Sequence, residues 1–341
     1  MSDLVQDLQR AYWTRNQLHA LIVELTARCP CRCRHCYIVH EPLPDELTTG
    51  DVCRILDQAR NEGVFHLLLT GGEPLARRDL PAILAHARRH RFFVTVLTSG
   101  LTLDDDAADE LAHHKVFAVE LSLLGATSAV NDDMMQVDGA LERIKEAVRR
   151  VRRRGLRVTL KATVLRANAG ELAAMAALAR ELDCGFSASP VVVPRRSGDR
   201  EPQRLALDED DLAALDPALL GAGLIPGEDV RGGALLVCKA GRSVAGVSPQ
   251  GEVYPCIMWP RSVGNLRERS LRDIWHDHPD PYLQEIRALT ADDMPACAGC
   301  DLRAWCRRCP GLVWQETGDP RGAAPSLCAG ARGHRRAGQS R

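Results

Sequence analysis

Three cysteines, Cys29, Cys33 and Cys36, stand as CxxxCxxC within TARCPCRCRHCY, Thr26–Tyr37. A four-iron cubane takes four thiolates, so three in one loop leave one iron open to an outside ligand. An open iron can do chemistry on what it binds. The same thiols could instead form part of a zinc site, because zinc also takes thiolates and prefers four tetrahedral ligands. Cys31 adds C-x-C pairings that help neither arrangement, and it reads as a bystander thiol. His35 stands just before the last cysteine of the loop.

A second set of thiols lies about two hundred residues further on: Cys238, Cys256, Cys297, Cys300, Cys306, Cys309 and Cys328. The run Cys297-x2-Cys300-x5-Cys306-x2-Cys309 is too tight for a zinc ribbon, whose CxxC pairs are usually about 15–20 residues apart. Thirteen cysteines in a chain whose polar start, MSDLVQDLQR, lacks a signal-peptide core point to metal rather than disulfides. No apolar stretch is long enough to span a bilayer, so a cytoplasmic protein without a membrane partner is expected. Cys53 and Cys184 are isolated and read as packing residues.

The elements that must position the first loop follow a regular alternation. Leu18–Leu25, LHALIVEL, is a mostly apolar run of strand length that leads directly into the cysteines. A helix capped at Thr48 or Thr49 and stopped at Gly63 follows. A strand Val64–Thr70 then ends in Gly71-Gly72-Glu73-Pro74. The pattern continues with strands Phe92–Leu97, Val116–Leu123, Arg157–Val164 and Phe186–Val193, separated by helices around Asp79–His90, Asp104–His114, Leu141–Arg153 and Glu171–Leu182. Strict strand–helix alternation implies right-handed crossovers and a parallel sheet. Six such units predict an α/β fold, a partial (β/α)6 barrel of the TIM type.

In such barrels the functional loops gather at the carboxyl ends of the strands. The cysteine loop, the GGEP turn, Ser99 and Ser122 all fall there. A Gly-Gly turn alone is common, and a serine at a strand end is ordinarily just a surface hydroxyl. Their convergence is what favours a cluster over zinc. Asn168, after the fifth strand, is a weaker candidate.

Charge excludes one class of partner. With 44 Lys+Arg against 45 Asp+Glu the net charge is -1, which makes no electrostatic case for nucleic acid. The run Arg149–Arg154 sits beside Leu141, Ile144, Val148 and Val151 at helical spacing, so its arginines are expected on a solvated helix face. Residues Val193–Pro202 are turn-rich and read as a linker or exposed loop leaving the barrel. Near Arg231 the alternation stops, which divides the chain into a barrel, 1–230, and a cysteine-rich domain, 231–341. There Val244–Tyr254 reads as a hairpin turning at Pro249-Gln250-Gly251, and Ser270–Trp275 as a capped helix. The tail Gly330–Arg341 is Gly- and Arg-rich and is expected to be disordered.

The CxxxCxxC loop followed by GGEP resembles the radical S-adenosylmethionine (SAM) family, with His35 in a usually aromatic place of its signature. The cysteine array with Gly264-Asn265-Leu266 and Ser270–Trp275 resembles the SPASM domain of peptide-modifying members. The combined resemblance covers nearly the whole chain. It implies a [4Fe-4S] cluster on Cys29, Cys33 and Cys36, with SAM on its fourth iron and Gly71, Gly72, Glu73 and Pro74 holding SAM's amino group. Ser99 and Ser122 would contact SAM's ribose or carboxylate. It further implies two auxiliary clusters, an outer one on Cys297, Cys300, Cys306 and Cys328 and an inner one on Cys238, Cys256 and Cys309. One departure concerns how the auxiliary ligands divide, since only Arg307-Arg308 separate Cys306 from Cys309 where the family usually has three residues.

The activity implied is reductive cleavage of SAM to a 5′-deoxyadenosyl radical, followed by hydrogen abstraction from a ribosomally made precursor peptide that is oxidised or cross-linked. An electron donor of flavodoxin or ferredoxin type is implied with it. About twenty residues precede the first strand, too few for a built-in peptide-recognition domain, so a separate recognition protein or direct binding is expected. Rearrangement of a small molecule, a sugar or cofactor precursor, is the alternative within this chemistry. A non-catalytic iron–sulfur or zinc protein is the alternative outside it.

Overall fold

The computed structural model describes residues 11–38, 43–215, 219, 238–290, 293–306 and 308–339. Six parallel strands run in chain order: β1 Ala20–Glu24, β2 His66–Thr70, β3 Phe93–Thr98, β4 Ala118–Ser122, β5 Arg157–Thr163 and β6 Gly185–Ser189. Helices α1 Thr49–Asn61, α2 Leu80–Arg89, α3 Asp105–His113, α4 Ser128–Met135, α5 Ala140–Arg153 and α6 Leu172–Glu181 fill the crossovers. This is the incomplete β/α barrel that the alternation predicts.

Strand periodicity separates the two faces of the sheet. Leu21, Val23, Leu67, Leu69, Val94, Val96, Val119, Leu121 and Leu160 are buried toward the helices. Each such aliphatic side chain contributes roughly 1.5–3 kcal/mol on leaving water. The alternate positions, among them Glu120, Ser122, Thr159 and Lys161, are only partly covered or exposed and form the concave wall.

Helix α1 starts where its sequence says it should. Thr48 accepts from the Asp51 N–H while the Asp51 carboxylate accepts from the Thr48 N–H, a reciprocal cap. Gly63, at φ +86°, carries the chain out of the helix. On α5 the buried stripe is Leu141, Ile144, Ala147, Val148 and Val151. The arginines opposite pair with the protein's own carboxylates: Arg149 with Glu146, Arg150 with Asp105, Arg152 with Asp183 and Arg154 with Asp109. That is the solvated face expected of them.

Three features differ from expectation. Helix α4 was not visible in the sequence, and it becomes the floor under the cysteine loop. The C-terminal hairpin does not stand apart: β7 Val244–Val247 pairs in parallel with β1, and β8 Glu252–Tyr254 and β9 Gly264–Asn265 extend the sheet antiparallel, giving the order β6-β5-β4-β3-β2-β1-β7-β8-β9. The division placed near Arg231 falls outside the described residues.

The tail is not loose through residue 339. Residues Pro325–Gln339 form a helix packed on a short helix, Glu209–Ala214, with Arg332 to Glu209 at 2.5 Å and Arg336 to Asp210 at 2.6 Å. At Gly333 a Cβ would lie 2.6 Å from Leu212 Cβ, so the glycine permits a close approach that outweighs its poor helix propensity. The expected Ser270–Trp275 helix is present around a π-turn at Asp273–Asp277, and it buries Trp275, whose indole donates to the Asn16 carbonyl at 2.8 Å. Among the described residues no helix is long and apolar enough to cross a membrane.

Candidate active site

The cysteine loop is tied down at both ends. At its start Glu46 accepts from the Thr26 hydroxyl at 2.9 and 3.0 Å and from the Ala27 N–H at 2.7 Å. In its middle the N–H groups of Arg32 and Arg34 donate to the carbonyls of Met135 and Met134, at the carboxyl end of α4. Arg32 folds its guanidinium back onto the carbonyls of Cys29 and Cys31. Cys29, Cys33 and Cys36 are partly buried, whereas Cys31 is buried in the core. The Cys31 thiol nevertheless lies close to Cys29, Cys33 and Ser99. Burial pushes the Cys36 thiol up to about 11.

The GGEP turn closes on that loop. Gly72 N–H donates to the Thr26 carbonyl at 2.7 Å and Glu73 N–H to the Arg28 carbonyl at 2.8 Å. A Cβ at Gly71, where φ is +126°, would meet Thr26 O at 2.4 Å, and one at Gly72 would meet Arg28 O at 2.3 Å. Only glycine allows this approach. Pro74 is buried and opens a 3-10 turn, Pro74–Ala76. Arg77, also buried, donates to the Leu25 carbonyl at 2.7 Å and the Leu47 carbonyl at 3.0 Å, which fixes the end of β1.

Glu73 is fully buried, and its carboxylate accepts four donors: Leu75 N–H at 3.1 Å, Thr98 hydroxyl at 2.7 Å, Ser99 N–H at 2.9 Å and the Ser99 hydroxyl. Four donors use the lone-pair capacity of a carboxylate. Glu73 and Ser99 are therefore brought together, and in this arrangement the carboxylate joins the end of β2 to the end of β3. Ser122 ends β4 on the concave wall, opposite Lys161, which pairs with Glu120 at 3.1 Å. Asn168 is taken up by structure: its amide bonds Leu165 N–H and the carbonyls of Leu124 and Thr163.

One group escaped the sequence reading. Glu24, the last residue of β1 and 1% exposed, is held by Arg196 at 2.6 and 2.9 Å and by the Tyr37 hydroxyl at 2.8 Å. The Arg196 guanidinium lies over the rings of Tyr37 and Tyr254, and the Arg196 backbone N–H donates to the Tyr37 carbonyl. The segment expected to be an exposed linker thus clasps the residue that follows Cys36. Burial, then the Glu24 charge, pushes the Tyr37 phenol well above its ordinary range, so it remains a donor. The one signal was an acid at the end of an apolar strand.

The later cysteines fall into two groups. Burial, then the charges of Cys238 and Cys309, pushes Cys256 up to about 12; burial, then Cys238, pushes Cys309 up to about 11. Burial, then Cys328, Cys297 and Cys300, pushes Cys306 up to about 11. Arg308, within the shortened spacer, donates to Cys297 Sγ at 3.0 Å and to the carbonyls of Pro320 and Gly322.

The family model of the Radical SAM superfamily matches residues 23–179, and that of the SPASM iron-sulfur cluster-binding domain matches 238–310. The PqqA peptide cyclase of Xanthomonas axonopodis pv. citri (strain 306) is 32% identical over 306 residues, 83% of this chain and 80% of that protein. This chain belongs to the radical SAM/SPASM family. Two solved structures share its fold. Streptococcus suis SuiB bound to precursor peptide SuiA superposes with TM-score 0.71 at 19% identity, covering 96% of this chain and 82% of that one. Native anSMEcpe with bound AdoMet does so with TM-score 0.71 at 15% identity, covering 94% and 96%.

A radical SAM/SPASM enzyme carries [4Fe-4S] clusters and uses SAM, and the donor set fits them. Cys29, Cys33 and Cys36 are unpaired, partly buried thiols on one loop, sulfur donors of the kind such a cluster takes. His35 is partly buried with Nδ1 covered and unpartnered, and burial lowers it to about 4, so a neutral ring stands beside the ligand candidates.

Proposed function

We propose that this radical SAM/SPASM enzyme oxidatively modifies or cross-links a ribosomally made precursor peptide in the cytoplasm. The observation that carries the reading is the match to the PqqA peptide cyclase through both domains, over 83% of the chain. The fold shared with SuiB in its complex with a precursor peptide supports it.

In this reading Cys29, Cys33 and Cys36 hold the SAM cluster. The backbone of Gly71, Gly72 and Glu73 receives SAM's amino group, with Pro74 fixing the turn. The Glu73 carboxylate acts by locking the turn to Ser99, rather than by meeting the ammonium. Ser99 and Ser122 flank SAM at successive strand ends, and His35 packs beside the cluster. Cys297, Cys300, Cys306 and Cys328 hold the outer auxiliary cluster, and Cys238, Cys256 and Cys309 the inner one.

When bound, SAM and the clusters supply a one-electron cleavage whose radical product takes a hydrogen atom from an unactivated carbon, and centres that accept the electron left on the substrate. The chain's own part is to bind and orient the peptide along the concave wall, where Glu120, Ser122, Thr159 and Lys161 present polar contacts, and to keep water from the reacting carbon. A flavodoxin or ferredoxin supplies the electron. A separate recognition protein presents the peptide.

The test is to incubate the reconstituted enzyme anaerobically with SAM, reductant, the recognition protein and the short peptides encoded beside its gene, and to follow deoxyadenosine and peptide mass. The expected result is peptide-dependent deoxyadenosine with loss of a pair of hydrogens from the peptide. SAM cleavage that no such peptide stimulates, but a small sugar or cofactor precursor does, overturns the peptide reading.

A further inference from the structure

Away from the strand ends, on the outer surface of the barrel, α1 and α2 bring together side chains that the radical chemistry does not use. His86 Nε2 lies 2.6 Å from Asp57 Oδ1, and His90 Nε2 lies 2.9 Å from the same oxygen. The three ligating atoms all lie within 4.8 Å of one another, the sole such His/Cys/Asp/Glu group among the described residues. The two imidazoles are 4.8 Å apart between centroids, tilted by 42°.

We propose that this is a binding site for one divalent transition-metal ion of the zinc class, held by Asp57 Oδ1, His86 Nε2 and His90 Nε2. The sequence spacing underlies it: His86 on α2 and His90, the residue that caps its end, are four apart, which brings the two rings to the same side. Asp57 meets them from α1, one turn after Cys53, whose thiol is raised by burial and then by the Asp57 charge. Two imidazoles and one carboxylate are ligands that zinc favours, with a fourth position left for water. The convergence is odd for a structural contact, because both Nε2 atoms turn to one oxygen of a half-exposed carboxylate. A single cation would bind all three atoms in place of the two His–Asp contacts.

His86 Nδ1 accepts from the Arg89 guanidinium at 2.8 Å, which places the ring proton on Nε2. Metal binding shifts that proton from Nε2 to Nδ1, leaving the Nε2 lone pair for the ion, so Arg89 must turn away. Arg89 is exposed and free to do so. The ion would staple the helix that follows the cysteine loop to the helix that follows GGEP, two segments already joined by Thr49 to Asp79 at 2.5 Å.

The test uses the fully reconstituted holoenzyme, dialysed against buffered zinc, with metal analysis and zinc K-edge absorption. The expected result is about one zinc per chain in a shell of nitrogen and oxygen. His86→Gln and His90→Gln should both lose that zinc while keeping iron content and SAM cleavage, since glutamine can still hydrogen-bond Asp57. A shell made only of sulfur places the zinc in a cysteine site and overturns the proposal. So does zinc content that is equal in the wild type and both variants.

Discussion

Arg196→Met tests the idea that the Glu24–Arg196 salt bridge, against the residue that follows Cys36, holds the cysteine loop in place. The substitution keeps the stem but leaves Glu24, 1% exposed, without its two guanidinium hydrogen bonds at 2.6 and 2.9 Å. Only the Tyr37 hydroxyl at 2.8 Å remains. Removing one partner of a buried pair costs about 3–5 kcal/mol. Because the Arg196 side chain is 26% exposed, water can follow, and the lower end applies, about 3 kcal/mol. The lost contacts to Tyr37 and Tyr254 add roughly 0.5 kcal/mol each.

In urea a loss near 4 kcal/mol in all lowers the midpoint by about 1.3 M, for a slope near 3 kcal/mol/M. Anaerobic denaturation of the holoenzyme, followed by cluster absorbance and by circular dichroism, measures it. The cluster signal should fall earlier than the circular dichroism, because Tyr37 directly follows Cys36. A Glu24→Gln/Arg196→Met double variant should regain part of the loss, since no uncompensated buried charge remains. A midpoint unchanged by Arg196→Met, or a double variant less stable than that single one, would refute the reasoning.

Other outcomes follow from the same geometry. Gly72→Ala puts a Cβ 2.3 Å from Arg28 O, so the turn and the cysteine loop must separate; SAM binding by equilibrium dialysis should fall at least tenfold, about 1.4 kcal/mol. Glu73→Gln puts an NH2 where an acceptor oxygen faced one backbone N–H and one hydroxyl, so the N–H becomes a donor–donor clash while the hydroxyl reverses; a stability loss of about 1–3 kcal/mol is expected by denaturation. Cys33→Ala should abolish SAM cleavage and lower iron from about 11–12 per chain to about 8, whereas Cys31→Ala should keep both, as measured by metal analysis and deoxyadenosine formation. Equal losses in the two cysteine variants would reassign the ligands.

The three-cysteine loop, GGEP and the order of six strands were legible because each is local: spacing along the chain, apolar runs of strand length and caps such as Thr48 are set by near neighbours. The grouping of seven later cysteines into two sets followed from resemblance. What the chain alone did not disclose are pairings across long separations. Glu24 meets Arg196 172 residues away, which turns an apparent linker into a clasp. Glu73 looked like a free carboxylate for an ammonium, and only the meeting of β2 with β3 shows it saturated by Leu75, Thr98 and Ser99. Helix α4 and the Pro325–Gln339 helix were missed because weak intrinsic propensity was overruled by packing, on the cysteine loop in one case and on Glu209–Ala214 in the other. Periodicity and spacing thus determined which elements form and which thiols stand together in the chain. The partner of each buried charge was decided only when the sheet closed, because a carboxylate accepts whichever donor the fold brings within reach.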